Sequence, residues 1–155
     1  MCWKCDHPEV TVEEWLESMR SIIDTHGWAV QYVESEHRPF AYTVGLHERG
    51  LPELLVTGLP PSRAVEILNT VAAYLVDGGR PVPGDLVTIA DGPSLEVVQV
   101  QHPDAHLLVA IALYGDGVRA LQVVWDVRVG HRPLCPDFNR GGVRQPVLGV
   151  RGSPP

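Results

Sequence analysis

Three short β-rich runs lie between two helical periods in the first half of the chain, and that order leaves few folds open. Thr11 and Glu14, three residues apart, form a capping box in which each side chain can bond the other's free backbone N–H. Val12, Trp15, Leu16, Met19, Ile22 and Ile23 follow at helical spacing, and Gly27 supplies a stop. The spacing predicts a helix over 12–25. Trp28 to Val33 is rich in β-branched and aromatic residues and reads as a strand. After a polar turn from Glu34 to Pro39, Phe40 to Leu46 reads as its hairpin partner. His47 to Pro52 is a connecting loop. Glu53 to Gly58 is more continuously apolar, the pattern of a central strand.

Pro60-Pro61-Ser62 opens the second helix, since a first helical turn tolerates proline. Val65, Leu68, Ala72 and Leu75 share one face of it, Ile67, Val71 and Val76 widen that face, and Gly78-Gly79 ends it. Further strands are expected at Leu86–Ala90, Leu95–Gln101, Leu107–Leu113 and Ala120–Val127. From Gly130 onward the chain is rich in Gly, Pro and Arg and shows little periodicity. The element order predicts an α+β fold: one domain over 1–155, with a largely antiparallel sheet of six to seven strands and two main helices. Residues 1–10 form an N-terminal Cys/His segment, and 130–155 an irregular tail expected to wrap the surface or remain mobile.

Charge and hydropathy exclude several function classes. A net charge of −7 opposes a general nucleic-acid or anionic-membrane binder, because both need clustered Lys and Arg. No apolar run approaches the ~18 residues of a membrane span. The N-terminus lacks the basic-then-apolar pattern of an export signal, so a cytoplasmic protein with reduced thiols is expected. No Walker loop is present, no G-x-G-x-x-G follows a strand, and no G-x-S-x-G elbow supplies a hydrolase nucleophile.

Four groups of residues carry candidate chemistry. Cys2 and Cys5 stand at C-x-x-C spacing, which lets a tight turn bring both sulfurs to one ion. Cys135 with either His7 or His131 would complete a tetrahedral Cys3His zinc site if the fold returns that segment to the N-terminus. The competing reading is a pair of exposed thiols. A redox role fits less well, because the pair does not follow a strand and open a helix. Removal of Met1 would also make Cys2 a terminal nucleophile. His102-Pro103-Asp104-Ala105-His106 offers two imidazoles and a carboxylate for a metal or for acid–base work. Pro103 argues against a regular helix there, so a polar loop competes. Tyr42, Thr43, His47 and Glu53, with Glu48, Arg49 and Thr57, gather polar groups near one end of the sheet, and His106 joins them as a candidate ligand-binding residue. The competing reading is that Tyr42 packs in the core and Glu53 starts a strand. Arg132, Arg140, Arg144 and Arg151 would suit an anion, or simply solubilise the tail.

Phe40-Ala41-Tyr42-Thr43-Val44-Gly45-Leu46, Leu51-Pro52-Glu53-Leu54-Leu55-Val56-Thr57-Gly58-Leu59, Leu121-Gln122-Val123-Val124-Trp125 and Gln145-Pro146-Val147-Leu148-Gly149 resemble the DUF4262 family of bacterial proteins. The similarity spans roughly residues 10–150, and the Tyr42-to-Leu46 stretch is its most specific part. The resemblance implies a bacterial cytosolic protein and supplies no activity. The family pattern often places a histidine directly before the Pro-Glu pair; here that position is Leu51, and the loop's histidine is His47.

Three function classes follow. A non-catalytic ligand-binding or interaction domain, stapled by zinc between Cys2/Cys5 and the Cys135 region, accounts for the clustered thiols. An enzyme is the alternative. In one form it is flavin-binding and split-barrel-like, with Ser62, Arg63 and the second helix's N-terminus on a phosphate and His47 or His106 as acid or base. In another it is a metal-dependent hydrolase using His102, Asp104 and His106. A small regulator that binds a basic protein partner is the third.

Overall fold

The computed structural model describes residues 9, 11–34, 36, 39–88, 94–125 and 148–150. Helix α1 (Val12–His26) opens on the expected capping box. The Glu14 N–H donates to Thr11 Oγ1 and the Thr11 N–H to Glu14 Oε2, both at 3.1 Å. Gly27 closes the helix in the left-handed region at φ 95° and donates to the Ile23 carbonyl at 2.7 Å.

Strands β1 (Ala29–Val33) and β2 (Phe40–Val44) form the predicted antiparallel hairpin. A 3-10 turn (Leu46–Arg49) leads into β3 (Glu53–Thr57), antiparallel to β2. Helix α2 (Pro61–Val76) follows, with proline in its first turn as expected. Next come β4 (Leu86–Thr88), β5 (Ser94–Val100), the short helices α3 (Pro103–His106) and α4 (Leu108–Tyr114), β6 (Ala120–Val124) and β7 (Gly149–Val150).

The strands form one open sheet in the order β1-β2-β3-β6-β5-β4. Every neighbouring pair is antiparallel except β3 with β6. Strand β7 pairs with Gln99 and Val100 of β5, on the edge opposite β6. Both sheet faces are covered. Helix α2 packs its Ala64, Leu68, Val71 and Leu75 against Ala41, Leu54, Val56 and Val123. Helices α1 and α4 cover the other face, where Met19, Ile23, Val109 and Ala110 meet Tyr42, Val44 and Leu55. This double cover explains why all five residues of β3 are buried and why its sequence is continuously apolar.

Two expectations are corrected. Leu107–Leu113 is not a strand: α4 takes Leu108–Tyr114. A short apolar run suits a buried strand or a buried helix equally by composition. Here Pro103 seeds a helical turn at its first position, and the chain continues into α4. Burial then follows a helical pattern, with Val109 and Ala110 buried, Leu108 and Ala112 exposed, and Gly115 as the stop. By the same token Pro103 does not exclude a helix through His102–His106, because at the first helical position its missing N–H has no intrahelical partner to lose.

Sheet and tail are joined through Gln122. Its amide nitrogen donates to Thr57 Oγ1 at 3.2 Å, and its carbonyl oxygen accepts the Leu148 N–H at 2.7 Å. Trp125 Nε1 donates to the Thr57 carbonyl at 2.7 Å.

Candidate functional site

The centre of the predicted hairpin cluster is a buried carboxylate. Glu53 begins β3 and has no exposed surface. Its Oε1 accepts from Thr43 Oγ1 at 2.9 Å and from the Leu46 N–H at 3.1 Å. Its Oε2 accepts from the N–H groups of Gly45 at 2.9 Å and His47 at 3.2 Å. A carboxylate offers about four lone-pair sites, and here four donors engage it. Thr43 is engaged on both sides, since its hydroxyl also accepts the Leu54 N–H at 2.8 Å. Burial pushes the Glu53 carboxyl above the usual carboxylate range, and the four donated bonds pull against that shift. Glu53 thus anchors the Gly45–Arg49 turn, whose own first N–H groups lack partners within it.

Gly45 makes the anchor geometrically feasible. Its φ of 124° suits glycine, and a Cβ there would lie 3.0 Å from Ile23 Cγ2 and from Trp28 Cα. His47 joins the anchor through its backbone alone. Its ring stacks on Tyr114 with centroids 5.0 Å apart. The Tyr114 hydroxyl donates to Glu48 Oε2 at 2.6 Å, and burial first, then Glu48, pushes its pKa well up.

Tyr42 and His106 lie in a different group from Glu53. The Tyr42 hydroxyl accepts the Val109 N–H at 3.0 Å, at the start of α4. Phe40 stacks on Tyr42 and meets the His106 ring edge-on at 6.3 Å. His102 and Asp104 are exposed. Among the described residues no three His, Cys, Asp or Glu side chains gather to hold a metal, so the His102–Asp104–His106 triad is not assembled. Cys2, Cys5, His7, His131 and Cys135 lie outside the described residues, as do Arg132, Arg140, Arg144 and Arg151.

The anchored turn shapes a cleft that sequence reading did not find. Strands β3 and β6 run parallel and start at the same end of the sheet, where antiparallel β5 finishes. The cleft opens at that end with a volume near 520 Å³. Gly50, Leu51 and Pro52, which follow the anchored turn, form one wall, and the Arg80–Pro83 segment after α2 forms another. Gln99, Val100 and Gln101 of β5, Pro103 of α3, and Val118 to Leu121 around the start of β6 complete it, with Leu75 of α2. The Glu53 N–H donates to the Arg119 carbonyl at 2.9 Å, and Arg119 Nη2 reaches the Gly50 carbonyl at 3.3 Å. Anchor and cleft therefore share a wall. Arg80 and Arg119 are far apart in sequence and form no motif. The one local signal is an arginine set at the boundary of an apolar element, which is common on any surface.

The flavin-binding alternative rests on an analogy with split barrels. The sheet here is open, and Arg63 at the start of α2 pairs with Glu66 at 2.9 Å. No helix among the described residues is long and apolar enough to cross a membrane. A family model for DUF4262, a domain of unknown function, matches residues 22–139. No curated protein and no solved structure matches the chain.

Proposed function

The chain belongs to the DUF4262 family, and from that premise we propose that it is a non-catalytic small-molecule-binding domain whose site is the sheet-end cleft. The observation that carries the reading is the cleft itself. Its volume near 520 Å³ falls within the ~300–1,000 Å³ typical of ligand pockets. Its lining is mostly apolar, with a few polar residues, Arg80, Gln99, Gln101 and Arg119, among it. The buried polar groups beside it, Glu53 and Thr43, are engaged in holding its wall. That supports a binding role over a catalytic one.

Zinc is part of the same proposal. The C-x-x-C spacing of Cys2 and Cys5 supports a structural ion completed by Cys135 and His7 or His131. It would tie the N-terminus to the tail and contribute folding energy.

The test is a thermal-shift screen of a fragment library against the full chain and a Val82→Trp variant. Val82 lines the cleft and is 60% exposed, so an indole there obstructs the mouth without disturbing the core. Fragments that stabilise the wild type and leave the variant unmoved support the reading. Fragments that stabilise both equally, or none that stabilise the wild type, reject it.

A further inference from the structure

The cleft differs in charge from the rest of the molecule. The chain carries 19 acidic against 12 basic residues. Among the described residues the cleft is lined by two arginines, Arg80 and Arg119, and by no carboxylate. Among the described residues neither guanidinium pairs with an Asp or Glu. In an acidic protein, two cations lining one largely apolar cleft, with no counter-charge among the described residues that line it, form a local positive field that favours an anion.

Arg80 is also held in place. Its Nη1 donates to the Leu75 carbonyl at 2.8 Å and to the Gly79 carbonyl at 2.7 Å, at the C-terminal end of α2. Both bonds use one nitrogen of a group that carries five N–H donors, so the fork keeps further donors for a ligand. A guanidinium fixed in advance loses less freedom on binding an oxyanion.

We propose that the cleft takes a small organic acid: a carboxylate met by Arg80 and Arg119, with an apolar body between the leucine, valine and proline walls. The inference rests on the ligand-site reading above and narrows it. Inorganic phosphate would satisfy the guanidiniums but leave the apolar walls wet. A neutral apolar molecule would fill the walls but strip water from the guanidiniums without replacing its bonds.

The test is an NMR titration of the full ¹⁵N-labelled chain with benzoate, benzamide and inorganic phosphate, repeated on Arg119→Gln. Arg119 is exposed, so the variant keeps its fold. The expected result is that benzoate moves the amide signals of Gln101, Val118 and Arg119 and binds about tenfold more tightly than benzamide, the scale of one charge-assisted hydrogen bond. Arg119→Gln should remove most of that preference, and added salt should shrink it. Equal binding of benzoate and benzamide in the cleft would overturn the acid and leave the ligand site standing. So would phosphate binding as tightly as benzoate, or a preference that survives in both Arg119→Gln and Arg80→Gln. If no probe moves the cleft signals, the acid and the ligand-site reading fall together.

Discussion

Replacing Glu53 with Gln tests whether the buried carboxylate is what holds the Gly45–Arg49 turn. The change keeps volume and one acceptor oxygen but puts an NH₂ where the other oxygen stood. The donors are split two and two: Thr43 and Leu46 on Oε1, Gly45 and His47 on Oε2. Whichever way the amide turns, two donors face a third donor instead of an acceptor. Leaving a buried polar group unsatisfied costs about 1–3 kcal/mol. If the amide oxygen keeps Thr43 and Leu46, the cost falls on Gly45, which is buried, and on His47, which is half-buried and can recover water. The sum is about 2–4 kcal/mol, a large share of the ~5–15 kcal/mol typical of a domain. Urea denaturation at pH 7 reads it. With a slope of about 2 kcal/mol per molar, the midpoint should fall by roughly 1–2 M. A loss below ~1 kcal/mol would refute the anchor, since a single unpaired buried N–H already costs that much.

Further expectations follow from the same geometry. Because burial raises the Glu53 carboxyl above its ordinary value of 4.5, the folded chain keeps that proton to higher pH than the unfolded chain. The resulting stability is complete below pH 4.5 and declines as pH rises through the folded value. Wild-type stability relative to Glu53→Gln should therefore fall from pH 4.5 upward, and the opposite slope would mean that the four donated bonds outweigh burial. Gly45→Ala should cost about 1–3 kcal/mol through its positive φ, and more through the close Ile23 and Trp28 atoms; an unchanged melting temperature would contradict the reading of that turn. On the C-x-x-C spacing rather than on any described geometry, Cys5→Ser should lower both zinc content and thermal stability. Elemental analysis of untagged wild type finding no zinc would dismiss that site.

Local chemistry was legible wherever a short-range signal was complete. Thr11 with Glu14 and Gly27 bounded α1 because capping geometry depends on neighbours a few residues apart. The even apolar pattern of Glu53–Thr57 marks a central strand, and β3 lies inside the sheet with all five residues buried. Leu107–Leu113 misled because an apolar run of that length carries no distinguishing period, and the helix depends on where Pro103 falls relative to it. Glu53 is a candidate by sequence, but three of its four donors come from the turn and the fourth from Thr43 of β2, and only the β2–β3 pairing brings them together on it. The cleft left no trace in the sequence, because the parallel pairing of β3 with β6 assembles its walls from segments far apart in the chain.

The most direct measurement is a crystal structure of the full chain grown with a fragment mixture that includes benzoate. The expected result is a ligand bound at the sheet end, between the Arg80–Pro83 segment and the end of β5, against the wall that Glu53 anchors. A cleft filled by the chain's own side chains, with every fragment bound elsewhere, would contradict it.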